Sequence, residues 1–384
     1  MELLFTIVLI LFSTKVAGHL SVRLGQPAVL GKLLIGILIG PAVLGLVQDS
    51  AIFQEFSEIG VLLLMFLAGL ETDAEQLKEN WKPSVAVAVL GIIVPFASAF
   101  AMGELFGFSF NEGIFLGVLF SATSVSITVQ VLKEMGMMQT REATTILGAA
   151  VVDDILVVTL LAFVMSFMGE DTSSSSVPLL LFKKVLFFVV AFVVGVYIVP
   201  KFLTLFSKFK VTAPVTAGAL IVAFGFAYFG EMLGMAGIIG TFLAGLFISQ
   251  TSFQHEVEKT VDPIANALFV PFFYVSVGIS ISFTGVFSQI GFLVACTIVA
   301  ILSKLFGGFL GAKVTGFDNH SSLAVGSGMV SRGEVALIIG TTGLSTGLLS
   351  QEYYTTVIIS VILTTLIAPP MLKHYFMKIY PDKD

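Results

Sequence analysis

The chain has 384 residues, 57% of them hydrophobic and only 11% charged, with a formal net charge of −6. A soluble domain carries about 25% charged residues, so this composition, with a mean hydropathy of +1.03, excludes a water-soluble globular protein and makes lipid the main solvent. A single cysteine, Cys296, excludes an intramolecular disulfide.

The N-terminal stretch MELLFTIVLILF has no basic n-region and no small-residue cleavage site, so it reads as a retained first helix. Interrupting the chain at clusters of charged residues, Pro, Gly and Ser predicts an all-α membrane protein with thirteen transmembrane helices. They fall at 2–20, 29–47, 56–71, 83–106, 112–133, 140–167, 179–206, 214–232, 235–250, 262–283, 286–312, 320–347 and 352–377. Most of these runs approach the roughly 20 apolar residues that cross a hydrocarbon core about 30 Å thick. The second and ninth are short and glycine-rich. Gly169 to Ser176 reads as a flexible linker.

The basic residues orient these spans. Fifteen of the 19 Lys and Arg, from Lys15 and Arg23 to Lys378 and Lys383, fall on one side, and Lys183 and Lys184 alone on the other. The Lys/Arg-rich side is expected to be cytoplasmic. That places the N-terminus outside, the C-terminus inside and the chain in the cell membrane. His19, His255, His320 and His374 all fall on the inner side, as solvated loop residues or as pH sensors.

Compared with itself at an offset of 209 residues, the chain brings glycines into register. Gly31 and Gly36 fall on Gly240 and Gly245, Gly69 on Gly278, Gly107 on Gly316 and Gly117 on Gly326. Residues 1–168 (helices 1–6) are therefore expected to repeat as 211–384 (helices 8–13), with the linker and a connecting seventh helix at 169–210. Helix 1 runs inward and helix 8 outward, so the two six-helix repeats are inverted, as in secondary transporters whose site lies near the midplane.

Five ionisable residues fall within spans: Asp153, Asp154, Lys304, Arg332 and Glu334. Charge at membrane depth is costly and by default functional. Asp153 and Asp154 sit mid-span in GAAVVDDILVV, pointing about 100° apart on a helix. Repulsion and desolvation both disfavour a charged pair, which favours proton exchange, and carboxylate oxygens suit a hard cation. Lys304, in ILSKLFGG, is expected to pair with one aspartate and to release its proton when that pair breaks; snorkelling to the interface is the alternative. Two spans read as internally broken. The fifth, GVLFSATSVSITVQV, carries Ser121, Thr123, Ser124, Ser126 and Thr128; the twelfth, GSGMVSRGEVALIIG, carries Ser331, Arg332, Gly333 and Glu334. The offset maps one interruption onto the other, and such matched breaks point to a transport site. Arg332 and Glu334 are expected to neutralise the dipole ends of the half-helices.

Taken together, SATSVSITVQVLKE, GAAVVDDILVV, LSK and GMVSRGEVALII resemble the monovalent cation:proton antiporters of the NapA/GerN/KefC type. LGQPAVLGKLLIGILIGP and LLLMFLAGLETD extend the resemblance over essentially the whole chain. The resemblance implies a homodimer. In each subunit a core domain (helices 4–6 and 11–13) with two crossed discontinuous helices moves against a dimerisation domain (helices 1–3 and 8–10). It implies that Asp154 is the main ion and proton carrier and that Asp153 pairs with Lys304. Thr123 and Ser124 then belong to the first crossing, as ion- or proton-binding groups with Asp154 and Asp153, and Glu334 to the second, with sodium held at Asp154, Asp153 and Thr123. The double aspartate is similar to that of the electrogenic sodium/proton exchangers of the family. Kef-type relatives append a nucleotide-binding domain, which the short tail after the last span is not expected to provide.

The expected function is exchange of sodium (or lithium) for protons by alternating access, without a cofactor, an enzymatic activity or a nucleic-acid partner. A potassium/proton antiporter or potassium efflux protein of the same fold is the alternative. An intramembrane aspartyl protease is a remote one, because its two carboxylates belong on separate helices.

Overall fold

The structure, a computed structural model, describes residues 2–167, 177–279 and 289–381. The linker expected at 169–176 and the span ends expected at 280–283 and 286–288 lie outside the described residues. Among the described residues the regular elements are all helical, with no strand. In chain order they are α1 (Glu2–Arg23), α2 (Ala28–Ile39), α3 (Ala51–Glu71), α4 (Ala74–Glu79), α5 (Trp81–Leu105), α6 (Phe110–Ser121), α7 (Val125–Glu134), α8 (Arg141–Phe167) and α9 (Val177–Val193). They continue as α10 (Val199–Phe206), α11 (Pro214–Met232), α12 (Gly237–Ser249), α13 (Gln254–Ile264), α14 (Val270–Ile279), α15 (Ile290–Val314), α16 (Asn319–Gly328), α17 (Glu334–Ser345) and α18 (Gln351–Ile379). Among the described residues, ten stretches are long and apolar enough to cross a membrane, and Ala28–Ile39, Gly237–Ser249 and Val335–Leu344 are shorter apolar helices. The chain is a multi-pass membrane protein.

Helix starts follow capping chemistry. Ser50 accepts from Phe53 N ahead of α3, Ser109 and Glu112 form a reciprocal capping box ahead of α6, and Asp318 accepts from His320 N and Ser321 N ahead of α16. Two π turns, Val194–Ile198 and Ala265–Phe269, join α9 to α10 and α13 to α14. Each is followed two residues on by a proline, Pro200 or Pro271, whose missing N–H breaks the regular ladder at that point.

The chain forms two compact units. The first holds residues 1–12, 49–78 and 175–276. Within it α3 and α12 cross backbone to backbone: a Cβ on Gly69 would overlap the Phe242 carbonyl, and one on Gly245 the Phe66 carbonyl. Small residues at the contact are what let membrane helices approach this closely. Lys184, expected at an outer flank, is instead buried on α9 with Nζ 3.6 Å from Met235 Sδ.

The second unit holds residues 13–48, 79–174 and 277–384, and therefore α2, α5–α8 and α15–α18. Within it, polar contacts tie residues 13–48 to α7 and α18. Ala28 N and Lys32 Nζ donate to Glu134 at 2.8 and 3.2 Å, and Lys373 Nζ donates to Gly25 O at 3.1 Å. On α15, Gly307, Gly311 and Gly308 lie against Leu90, Val87 and Gly326, where a Cβ would clash.

Candidate ion-binding site

The site lies within the second unit, where two helices are interrupted. α6 ends at Ser121 and α7 begins at Val125; α16 ends at Gly328 and α17 begins at Glu334. The interruptions bond to each other, with Ser124 N donating to Ser331 O at 2.8 Å. Hydroxyls satisfy backbone carbonyls around the breaks. Ser121 Oγ donates to Gly117 O (2.8 Å) and Ile92 O (3.2 Å), Thr128 Oγ1 donates to Gly328 O (2.7 Å), and Thr365 Oγ1 donates to Arg332 O. In lipid no water does this job, so polar side chains at a break are a structural requirement.

Arg332 is fully buried. Its Nε and Nη2 donate to Phe120 O at 3.1 and 2.8 Å, and Nη1 donates to Val330 O at 3.2 Å. The guanidinium thus sits at the C-terminal end of α6, where unsatisfied carbonyls concentrate partial negative charge. Glu334 opens α17; its side chain lies outside the described residues.

Asp153 on α8 and Lys304 on α15 form an ion pair, with Nζ 3.2 Å from Oδ1 and both residues 0% exposed. Gly91 on α5 lies beside Nζ, where a Cβ would stand in ordinary contact at 3.8 Å. Asp154 is half-buried and also acts on the Lys304 charge. Thr123 is buried beside Asp153, and Arg332 adds a second positive charge to the field at that carboxylate. Among the described residues, Asp153 Oδ2 and the hydroxyls of Ser126, Ser303 and Ser331 make no hydrogen bond, and the Thr123 hydroxyl faces only the Asp153 carboxylate. Buried oxygens in that condition are costly unless water or a cation supplies the partner. Carboxylate and hydroxyl oxygens are the donor type that a hard cation takes.

The structure therefore gathers Asp153, Lys304, Thr123, Ser124 and Arg332 around the two breaks, with Asp154 on the adjoining face of α8. Sequence reasoning missed Gly91, Ser303, Thr365 and the Phe120 carbonyl. The Thr364-Thr365 pair inside an apolar span was an available signal; a backbone carbonyl leaves none.

Membrane-crossing helices that enclose a buried aspartate–lysine pair between two interrupted helices define a secondary transporter. The chain belongs to the family described as "Sodium/hydrogen exchanger, transmembrane", which it matches over residues 7–378. It is 56% identical over 375 residues to the Na(+)/H(+)-K(+) antiporter GerN of Bacillus cereus, covering 98% of this chain and 96% of that protein. It is 45% identical over 383 residues to a Na(+)/H(+) antiporter of Enterococcus hirae, covering 100% of both. Among solved structures, the sodium proton antiporter MjNhaP1 of Methanocaldococcus jannaschii shares the fold, with a TM-score of 0.70 at 17% identity over 100% of this chain and 99% of that one.

Proposed function

We propose that this chain exchanges sodium for protons across the membrane by alternating access at Asp154 and Asp153. The family and the described activities of GerN and the Enterococcus hirae protein support the exchange. The buried Asp153–Lys304 pair beside the half-buried Asp154 is the observation that carries the mechanism. A cation held by Asp154, Asp153 and Thr123 displaces the proton of Asp154 and draws Asp153 away from Lys304. The lysine then gives up its proton, because a buried ammonium without its counter-ion is unstable. Losing two protons for one sodium makes the exchange electrogenic. Arg332 and Ser124 hold the crossing in shape. The potassium in the description of GerN makes potassium the second candidate cargo, with lithium grouped with sodium.

The architecture that fits this cycle is thirteen crossings in two inverted repeats, with the N-terminus outside. Three backbone close approaches support the repeats, because each recurs when its residues are exchanged for their equivalents 209 positions away. Ala17–Gly31 recurs as Phe226–Gly240, Phe96–Gly117 as Leu305–Gly326, and Gly36–Gly278 as Gly245–Gly69. Gly25 and Gly234 share a φ of +72°, and Gly107 and Gly316 are both left-handed at +81° and +94°. Helices 4–6 and 11–13 form the moving core of each subunit of a homodimer.

Proteoliposomes with an imposed pH gradient test the reading. Adding sodium is expected to dissipate the gradient, and the Asp154→Asn protein is expected not to respond. An Asp154→Asn protein that exchanges at the wild-type rate overturns it, and a panel of sodium, lithium and potassium salts identifies the cargo.

A further inference from the structure

One face of α7 carries oxygen atoms that the site does not use. Ser126, Gln130 and Glu134 follow one another at intervals of four, so they share a face of the helix. Thr123 stands just ahead of them, beside Asp153. Ser126 and Gln130 are buried, and Glu134 lies at the exposed end of the helix. The Gln130 amide nitrogen donates to Glu134 Oε1 at 3.2 Å. A carboxylate only accepts, so the amide oxygen is turned away from Glu134. Helical side chains lean toward the N-terminus, which is the direction of the site. Among the described residues that amide oxygen and Ser126 Oγ have no hydrogen-bond partner, and Thr123 Oγ1 faces only the Asp153 carboxylate. Thr128, on another face of α7, is packed and satisfied by Gly328 O at 2.7 Å. The two buried oxygens without a partner among the described residues, on the face of α7 that runs from Thr123 to the Glu134 carboxylate, whose side chain is 20% exposed, are stable when water or a cation completes them.

We infer that this face of α7 is the access path of the transported cation to the site from the side on which α7 ends: a file of oxygens from Glu134 through Gln130 and Ser126 to Thr123. Glu134 stands at the mouth, its carboxylate held by Ala28 N at 2.8 Å and ion-paired with Lys32 Nζ at 3.2 Å, so an entering cation exchanges with the lysine there. Gln130 and Ser126 offer neutral oxygens that replace part of a hydration shell without the trapping that a full charge brings. In this conformation Ser126 and Gln130 are shut off from bulk water, as one side of an alternating-access path is at any time. The file rests on the exchange reading, and Ser126, Gln130 and Glu134 are positioning residues; the exchange itself stays at Asp154 and Lys304.

Cysteine accessibility tests it in a Cys296→Ser background. A small cationic thiol reagent is added to membrane vesicles from the side on which α7 ends. Ser126→Cys and Gln130→Cys are expected to react about tenfold faster than Thr128→Cys, since access controls thiol reactivity, and sodium is expected to slow both. Rates no faster than that of Thr128→Cys, or rates that sodium leaves unchanged, overturn the file. In the flux assay Gln130→Leu is expected to slow exchange at low sodium about tenfold, which is about 1.4 kcal/mol, and Gln130→Asn, which keeps a neutral amide oxygen, to slow it less; Gln130→Leu at the wild-type rate also overturns the file. Labelling that fails while Asp154→Asn abolishes exchange removes the file and leaves the exchange reading standing. Full exchange by Asp154→Asn removes the exchange reading whatever the labelling shows.

Discussion

Replacing Lys304 by Met removes the ammonium 3.2 Å from Asp153 Oδ1 and keeps most of the aliphatic stem. Both residues are 0% exposed, so no bulk water takes its place. Breaking a buried pair by removing one partner costs about 3–5 kcal/mol. The cost has a ceiling, because the stranded carboxylate can take up a proton instead. Starting from an ordinary carboxylate value near 3.9, protonation costs about 5 kcal/mol at pH 7.5 and about 2 kcal/mol at pH 5.5. Lys304→Met is therefore expected to be destabilised by about 3–5 kcal/mol at pH 7.5 and by no more than about 2 kcal/mol at pH 5.5. Asp153→Asn combined with Lys304→Met removes both charges of the pair, and is expected to recover most of the loss. Thermal midpoints of the wild type, the single and the double variant, compared from pH 5.5 to 7.5, check this. A single variant as stable as the wild type at pH 7.5, or a deficit that does not shrink toward acid pH, refutes the reasoning.

Gly245→Ala forces a methyl group into the Phe66 carbonyl and is expected to cost about 1–3 kcal/mol through separation of α3 and α12, with a lowered thermal midpoint that Gly69→Ala reproduces. Tyr380 donates to Glu142 Oε2 at 2.8 Å, and burial together with the Glu142 charge holds its hydroxyl above the ordinary tyrosine range. A raised folded value means a contribution present below about pH 10 and lost as pH rises further. The stability gap between wild type and Tyr380→Phe, about 1 kcal/mol, is thus expected to close in strong alkali, as midpoints from pH 8 to 11 would reveal. Asp318 caps α16, and the Ser321 and His320 N–H groups hold its carboxyl below the usual carboxylate range. Its depressed folded value means a contribution present above about pH 4. Asp318→Ala is expected to lose about 1 kcal/mol at neutral pH, with midpoints converging on the wild type as the pH falls below that range.

Much of the site was legible because lipid makes polarity conspicuous. Asp153, Asp154 and Lys304 stand out in apolar runs, and the hydroxyl cluster from Ser121 to Thr128 and the Ser331–Glu334 run marked the interruptions, since only broken helices need such residues at that depth. The pairing of Lys304 with Asp153 came from family resemblance; Lys304 Nζ donates to Asp153 at 3.2 Å. Tertiary choices were less legible. Nothing in LGQPAVLGKLLIGI says that its helix is tied to Glu134 and α18, because those contacts join residues about 100 and 350 positions apart. Lys184 reads as a flank charge beside Lys183, yet one faces inward. Glu142, bonded by Ser321 Oγ at 2.6 Å and by Tyr380, lies near a predicted span boundary, where a charged residue draws no attention.

Competition between cation and proton at Asp154 is the centre of the account, and proton release on sodium addition measures it most directly. Purified protein in weakly buffered detergent solution near its working pH is mixed with sodium chloride, and the pH change is compared with that for choline chloride. The wild type is expected to release protons in proportion to sodium bound, and Asp154→Asn to release none at the same sodium. Sodium binding by the wild type without proton release, or unchanged release from Asp154→Asn, would contradict it.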